Sequence, residues 1–288
     1  MENRRNTVVI AVGNQKGGVG KTTNTIQLAG ALGELGRQSL IIDLDMTCGA
    51  TKVLGAPTEG WISSFELLTG AENAEDTIIT DREGEEVPLP PRIHLVPGSR
   101  KLAELDTYLA ENPWVIQQDL LLAPIQRLRG RYDYVFLDTP PQKTKTTIPA
   151  LKAADYVILS AMPDHLAVSA MGDALGDIRV AQTRANAQLT LLGVIVCAIS
   201  RPRTRLAREL VNYVERTCVD PQAQSLKFKS EITRSVVVQE AQRAGQTILQ
   251  YRGDHPVADE YRALAREVEE RIRVLRPAAQ GLAEVVNA

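Results

Sequence analysis

The chain has 288 residues, 44% apolar and 24% charged, with a net charge of −2. Those values fit one large globular α/β domain and exclude a general polyanion trap. No run is long enough to span a bilayer and no signal-peptide pattern is present. Cys48, Cys197 and Cys218 lack metal-ligand spacing, which predicts an intracellular protein with reduced thiols.

In chain order, apolar runs at Val8–Val12, Ser39–Leu44, Ile93–Val96, Tyr134–Leu137, Tyr156–Leu159 and Leu191–Ile199 have the length of buried strands. Helical patterns lie between most of them. Residues Thr23–Leu35 place Ile26, Ala29 and Leu32 at helical spacing, with Gly36 as the stop. Residues 71–92 are acidic and end in Pro-Leu-Pro-Pro, which predicts a surface excursion or hairpin. Cys197 lies in an apolar run and is expected in the core. His94, His165 and His255 are isolated and receive no ligand role. Alternation of strand and helix predicts a doubly wound, mostly parallel sheet.

Residues 16–23 read Lys-Gly-Gly-Val-Gly-Lys-Thr-Thr, between the first strand and the first helix. A glycine-rich turn there lets backbone N–H groups converge on an anion at the helix N-terminus. Lys21 can reach the β- and γ-phosphates, and the Thr22 hydroxyl can ligate Mg²⁺. The strict phosphate-loop pattern needs glycine at position 15, where this chain has Gln15, and a second lysine, Lys16, stands inside the loop. One loop cannot easily aim two lysines at one phosphate chain from the same side. Lys16 is therefore expected to serve a nucleotide held mainly by another subunit. A plain glycine-rich turn with two solvated lysines is set aside, because spacing, strand context and helix context agree.

Asn14-Gln15-Lys16-Gly17-Gly18-Val19-Gly20-Lys21-Thr22-Thr23 resembles the ParA/MinD ATPases, and within them the ParA (Soj-like) partition proteins. The resemblance runs on through Leu40–Asp45, through Tyr132–Pro141 (the Walker B segment), and more loosely through Glu231–Val236 and Glu240-Ala241. It implies a P-loop ATPase with ATP and Mg²⁺ as cofactors. Gly17, Gly18, Val19, Gly20, Lys21, Thr22 and Thr23 would hold phosphate, and Lys16 would complete the partner's site. Asp138 ends a strand and would hold Mg²⁺ with Thr22. Asp43 and Asp45, two apart on an extended segment, point to one face. Asp43 would lie near the metal and Asp45 would orient the attacking water. The family usually continues Asp-Pro-Gln, while this chain has Asp45-Met46-Thr47, so the support of that acid is altered. Lys143 and Lys145 follow Walker B, either as switch residues or as solvated lysines.

Between Arg201 and Arg243 nine Lys/Arg face five acids, an excess of four. By itself that pattern suits a solvated helix face. The resemblance favours sequence-independent DNA binding, with Arg234 first and Arg203, Lys227, Lys229 and Arg243 beside it. No separate N-terminal DNA-reading domain is expected, since the loop starts at residue 14. Val257, Tyr261, Leu264, Val268, Ile272 and Leu275 form an apolar stripe whose opposite face mixes both charges, so the last helix should pack on the domain and not on a membrane. The expected organisation is one ATPase domain over 1–276 and a tail over 277–288. The resemblance implies an ATP-dependent homodimer on non-specific DNA, cytoplasmic and nucleoid-associated, with a ParB-like stimulating partner and no membrane. Two rivals are a ParA-like positioner of another cargo (a microcompartment or a chemoreceptor array) and a MinD-like membrane-associated regulator. A nitrogenase-reductase-like redox role is disfavoured by the cysteine positions.

Overall fold

The computed structural model describes residues 6–80, 89–141 and 144–286, with side chains described up to residue 276. The strands are β1 (Val8–Gly13), β2 (Ser39–Asp43), β3 (Ile93–Val96), β4 (Tyr134–Asp138), β5 (Tyr156–Ala161) and β6 (Thr190–Val196). They form a single parallel sheet in the order β3-β2-β4-β1-β5-β6. The chain moves from β1 to one side for β2 and β3, then from β4 to the other side for β5 and β6. Both faces are covered. Along β1, Val9 and Ala11 join one core, while Val8, Ile10 and Val12 join the other. Burial on both faces is why the strands read as unbroken apolar runs.

The helices are α1 (Lys21–Glu34), α2 (Gly49–Val53), α3 (Ser64–Thr69), α4 (Leu105–Glu111), α5 (Leu122–Leu128), α6 (Thr147–Ala153), α7 (Ala167–Arg184), α8 (Arg205–Thr217), α9 (Val236–Arg243), α10 (Ile248–Tyr251) and α11 (Pro256–Val286). Helix α1 starts two residues before the expected Thr23, because the loop ends at Gly20 in the left-handed region (φ 84°). It stops as expected. Gly36 takes φ 82°, and the Arg37 N–H closes on the Leu32 carbonyl at 3.0 Å. Strand β6 ends before the expected Ile199. Ala198 turns through φ 54°, and Ile199 forms an isolated bridge to Thr233 instead. The hairpin expected within 71–92 falls largely on 81–88, outside the described residues. Its near side adds one antiparallel bridge, Ile79 to Leu95.

The apolar stripe of α11 is buried at Val257, Tyr261, Leu264, Val268 and Ile272, and α11 lies against α1. Leu275, expected in that stripe, is instead exposed. The helical backbone continues past Pro277 to Val286, where the sequence suggested a tail. Side chains beyond 276 lie outside the described residues. Among the described residues no helix is long and apolar enough to cross a membrane.

The far edge of the sheet is locked by Arg271 of α11. Its guanidinium lies 4.2 Å over the Phe228 ring and donates to the carbonyls of Leu192, Leu226 and Lys227 at 2.8–2.9 Å. Gly193 leaves room for both groups. A Cβ there would stand 2.6 Å from Arg271 Nη1 and from the Phe228 ring. Neither neighbour can retreat, because the ring is fully buried and the guanidinium is held by three carbonyls. Gly193→Ala should therefore cost about 1–3 kcal/mol as overpacking. The check is a lower denaturant midpoint at unchanged m-value.

Candidate active site

The loop Asn14–Gly20 leaves the carboxyl end of β1 at the centre of the sheet, where doubly wound folds place ligands. Two glycines serve its conformation. Gly18 and Gly20 have φ 72° and 84°, a region that L side chains rarely adopt. The loop is anchored by Asn14, which opens the motif, and by Ser160 and Asn24, which the motif does not include. Asn14 Nδ2 donates to the Ser160 carbonyl at 2.8 Å, and its Oδ1 accepts the Lys16 N–H. The Ser160 hydroxyl donates to the Val19 carbonyl at 2.6 Å and accepts from Asn24 Nδ2. Asn24 Oδ1 in turn accepts the Tyr261 hydroxyl of α11 at 2.9 Å. The Val19 side chain is buried, so its contribution to anion binding is its backbone. Cys197, buried as expected, packs under Gly20.

Lys21 is buried at the start of α1, and its Nζ donates to the Lys16 carbonyl at 3.0 Å. Burial pushes its pKa down, while Asp138 and Asp45 pull it back up. Thr22 Oγ1 donates to Asp138 Oδ2 at 2.7 Å. The other oxygen, Asp138 Oδ1, is buried without a hydrogen-bond partner. Burial, with Asp43 as a second cause, raises the Asp138 pKa to about 8. An orphaned carboxylate oxygen beside a threonine hydroxyl and a lysine suits Mg²⁺ with a phosphate. Among the described residues no cluster of three His, Cys, Asp or Glu could hold a metal unaided.

Asp43, expected near the metal, has both of its oxygens engaged by protein donors in this structure. It pairs in register with Asp138 on the neighbouring strand. Both of its oxygens are used: Oδ2 accepts the Thr51 N–H (2.9 Å) and hydroxyl (2.7 Å), and Oδ1 accepts the Asp45 N–H (3.2 Å). Gly98 N–H closes the network on Thr51 Oγ1 at 2.7 Å. Asp43 is therefore a strut that fixes the turn carrying Asp45. Asp45 Oδ1 accepts the Thr47 N–H at 2.8 Å, so the Asp-Met-Thr turn is closed by its own backbone. Met46 points to solvent and Thr47 to the cleft.

Gly17, Gly18, Gly20, Lys21, Thr22, Thr23 and Asp45 line one open cleft of about 720 Å³. This volume suits a small-molecule ligand. Its far wall is Ala198, Ser200 and Thr204 with Ile232–Ser235, and Gln242 of α9 crosses to Thr23 Oγ1 at 2.9 Å. The resemblance marks Glu231–Val236 but gives it no place at the cleft, and nothing local marks Ala198, Ser200, Thr204 or Gln242. Lys16 is not among the lining residues. Its ammonium is ion-paired with Asp164 in the loop after β5.

The five basic candidates separate. Arg234 lines the cleft itself. Arg203 (2.5 Å) and Lys227 (3.2 Å) both bind the buried carboxylate of Glu231, and the Lys227 side chain is only 10% exposed. Lys227 is thus an internal cation, contrary to its expected place on the surface. Lys229 and Arg243 are exposed. Of the lysines after Walker B, Lys143 lies outside the described residues and Lys145 pairs with Asp106 at 3.3 Å.

The raised Asp138 pKa has a definite sign. The folded chain holds that proton more tightly than the unfolded chain does. Stability of the nucleotide-free protein should therefore fall as pH rises from about 4, the ordinary carboxyl value, to about 8. Asp138→Asn should flatten this slope in thermal melts and raise the melting temperature at pH 8. The same variant should lose the Mg²⁺ dependence of ADP binding. A slope left unchanged by Asp138→Asn would contradict the assignment.

A family model described as an AAA domain matches residues 7–191. The chain is 34% identical to the chromosome-partitioning ATPase Soj of Thermus thermophilus, over 92% of this chain and 96% of that one. Among solved structures, apo McdA of Cyanothece superposes with a TM-score of 0.77 at 21% identity, covering 92% of this chain and 99% of that one, a likeness of fold. Cobyrinic acid a,c-diamide synthase of Mycobacterium smegmatis, with bound ATP analogue and magnesium, gives 0.70 at 26% identity over 96% and 97%. The phosphate loop, the Thr22–Asp138 pair and these likenesses make the chain a member of the ParA/MinD-type P-loop ATPases, enzymes that use ATP with Mg²⁺.

Proposed function

We propose that this ATPase is a DNA-partition protein of the cytoplasm, which forms a homodimer around ATP, rides on nucleoid DNA without sequence preference, and is released when a ParB-like partner stimulates hydrolysis. One observation carries the reading: the two loop lysines are divided. Lys21 lies inside its own cleft, whereas Lys16 stands outside it, at the β5–α7 corner. A cation so placed suits a phosphate presented by a second subunit. The likeness to the chromosome-partitioning ATPase Soj supports the segregation role.

In this mechanism the loop N–H groups and Lys21 bind phosphate, and Thr22 and Asp138 hold Mg²⁺. When bound there, Mg²⁺ would supply charge neutralisation at the phosphate oxygens. Asp45, fixed by Asp43 and by the Thr47 N–H, orients the attacking water. The partner's Lys16 stabilises charge on the transferring phosphoryl group. The far wall, with Arg234 and Gln242, faces the base and ribose. Arg234 both lines that wall and is exposed, so it remains a candidate for DNA phosphates together with the exposed Lys229 and Arg243.

Sedimentation with a non-hydrolysable ATP analogue tests the division of lysines. Lys21→Ala should abolish nucleotide binding. Lys16→Ala should keep nucleotide binding yet lose ATP-dependent dimerisation and hydrolysis. A dimeric Lys16→Ala with normal turnover would remove the trans-acting role.

DNA binding should require ATP, ignore sequence and weaken with salt. Each phosphate neutralised contributes roughly −0.9 to the slope of log affinity against log salt. Losing one contact per subunit should therefore remove about two units in a dimer. Lys229→Ala and Arg243→Ala are expected to do so in an Asp45→Ala background, which keeps the ATP state. The measurement is a salt titration on two unrelated duplexes with ATP and with ADP. Equal affinity in both nucleotides would sink the nucleoid-riding model.

A further inference from the structure

The first two variable positions of the phosphate loop are tied to acids of one unit, the β5–α7 corner. Lys16 Nζ binds Asp164 Oδ2, and Gln15 Nε2 binds Asp177 Oδ2 of α7. Asp164 is itself fixed. It follows Pro163, and its Oδ1 accepts the Leu166 N–H at 2.8 Å ahead of α7. Its two oxygens therefore have separate tasks, one to shape the turn and one to hold the lysine. Lys16 is fixed too. Its N–H donates to Asn14 Oδ1, and its carbonyl accepts Lys21 Nζ. Both charges are partly shielded, with side-chain exposures of 24% and 31%.

We infer that Asp164 is the resting counter-ion of Lys16, a positioning residue that sets how readily two ATP-loaded subunits pair. The inference rests on the trans-acting reading of Lys16. To reach a phosphate on another subunit the ammonium must leave Asp164, and a symmetric dimer opens two such pairs. A conformational equilibrium of this kind lowers the apparent affinity by the fraction of subunits that are ready. A pair this exposed holds its partners by about a factor of two to four and a half. Two pairs together should weaken dimerisation by roughly four- to twentyfold.

Asp164→Asn keeps an oxygen for the Leu166 N–H and removes the charge. Asp164→Ser does the same with a shorter side chain. With a saturating non-hydrolysable ATP analogue and Mg²⁺, sedimentation velocity should show both variants dimerising at about four- to twentyfold lower protein concentration than the parent. ADP affinity of the monomer and the melting temperature should stay close to parental values. Adding Lys16→Ala to Asp164→Asn should abolish the gain, since no ammonium is left to release. Unchanged or weaker dimerisation in both Asp164 variants would overturn the inference. The failure of the wider reading looks different: there Lys16→Ala alone would still dimerise.

Discussion

Two carboxylates end adjacent strands in register, and the site is arranged around that like-charge pair. Asp43 and Asp138 are both fully buried at the carboxyl edge of β2 and β4. Like charges so close in a low-dielectric setting oppose ionisation, so each must be given a different environment. Asp43 is satisfied by three protein donors and becomes a strut. Asp138 receives one hydroxyl and keeps an oxygen without a partner. The difference separates structure from chemistry. The strut shapes the turn of Asp45, and the unsatisfied oxygen waits for a cation. The sheet order makes this possible, because β4 lies between β1 and β2.

The lysines obey a related constraint. An ammonium buried like that of Lys21 needs an acceptor when no phosphate is present, and the Lys16 carbonyl supplies it. Anchoring of the loop then falls to neutral polar groups, Asn14, Ser160 and Asn24, which hold the backbone without adding charge near the phosphates. Neutral anchors leave the potential at the loop itself to Lys21 and to the N-terminus of α1, while Arg234 and Asp45 add charge on the cleft walls.

The fold and the phosphate side of the site were legible in the sequence, because both rest on local signals. A parallel strand is an apolar run, and a left-handed loop demands glycine, as at Gly18 and Gly20. The rest depends on contacts between distant segments. Asp43 and Asp138 look alike as strand-end acids, and only the Thr51 bonds assign Asp43 to the frame. Lys227 and Lys229 look alike as basic neighbours. The buried Glu231 claims the first, while the second stays in solvent. Arg234 is expected to meet DNA and stays exposed, but only the fold shows that the turn after Ala198 also brings its segment to the cleft wall. Leu275 fits the heptad-like stripe by spacing alone, but the groove it would fill ends with Ile272.

The hydrogen bond from Tyr261 to Asn24 joins residues 237 positions apart. Gln242 reaches Thr23 over nearly as long a span, 219 positions. During synthesis the phosphate loop emerges early, yet its flanking helix gains these two partners only after more than two hundred further residues have been made. A nascent chain therefore carries the recognisable loop long before it carries a finished pocket. Completion of the pocket wall is thereby tied to the docking of α9 and α11 against α1.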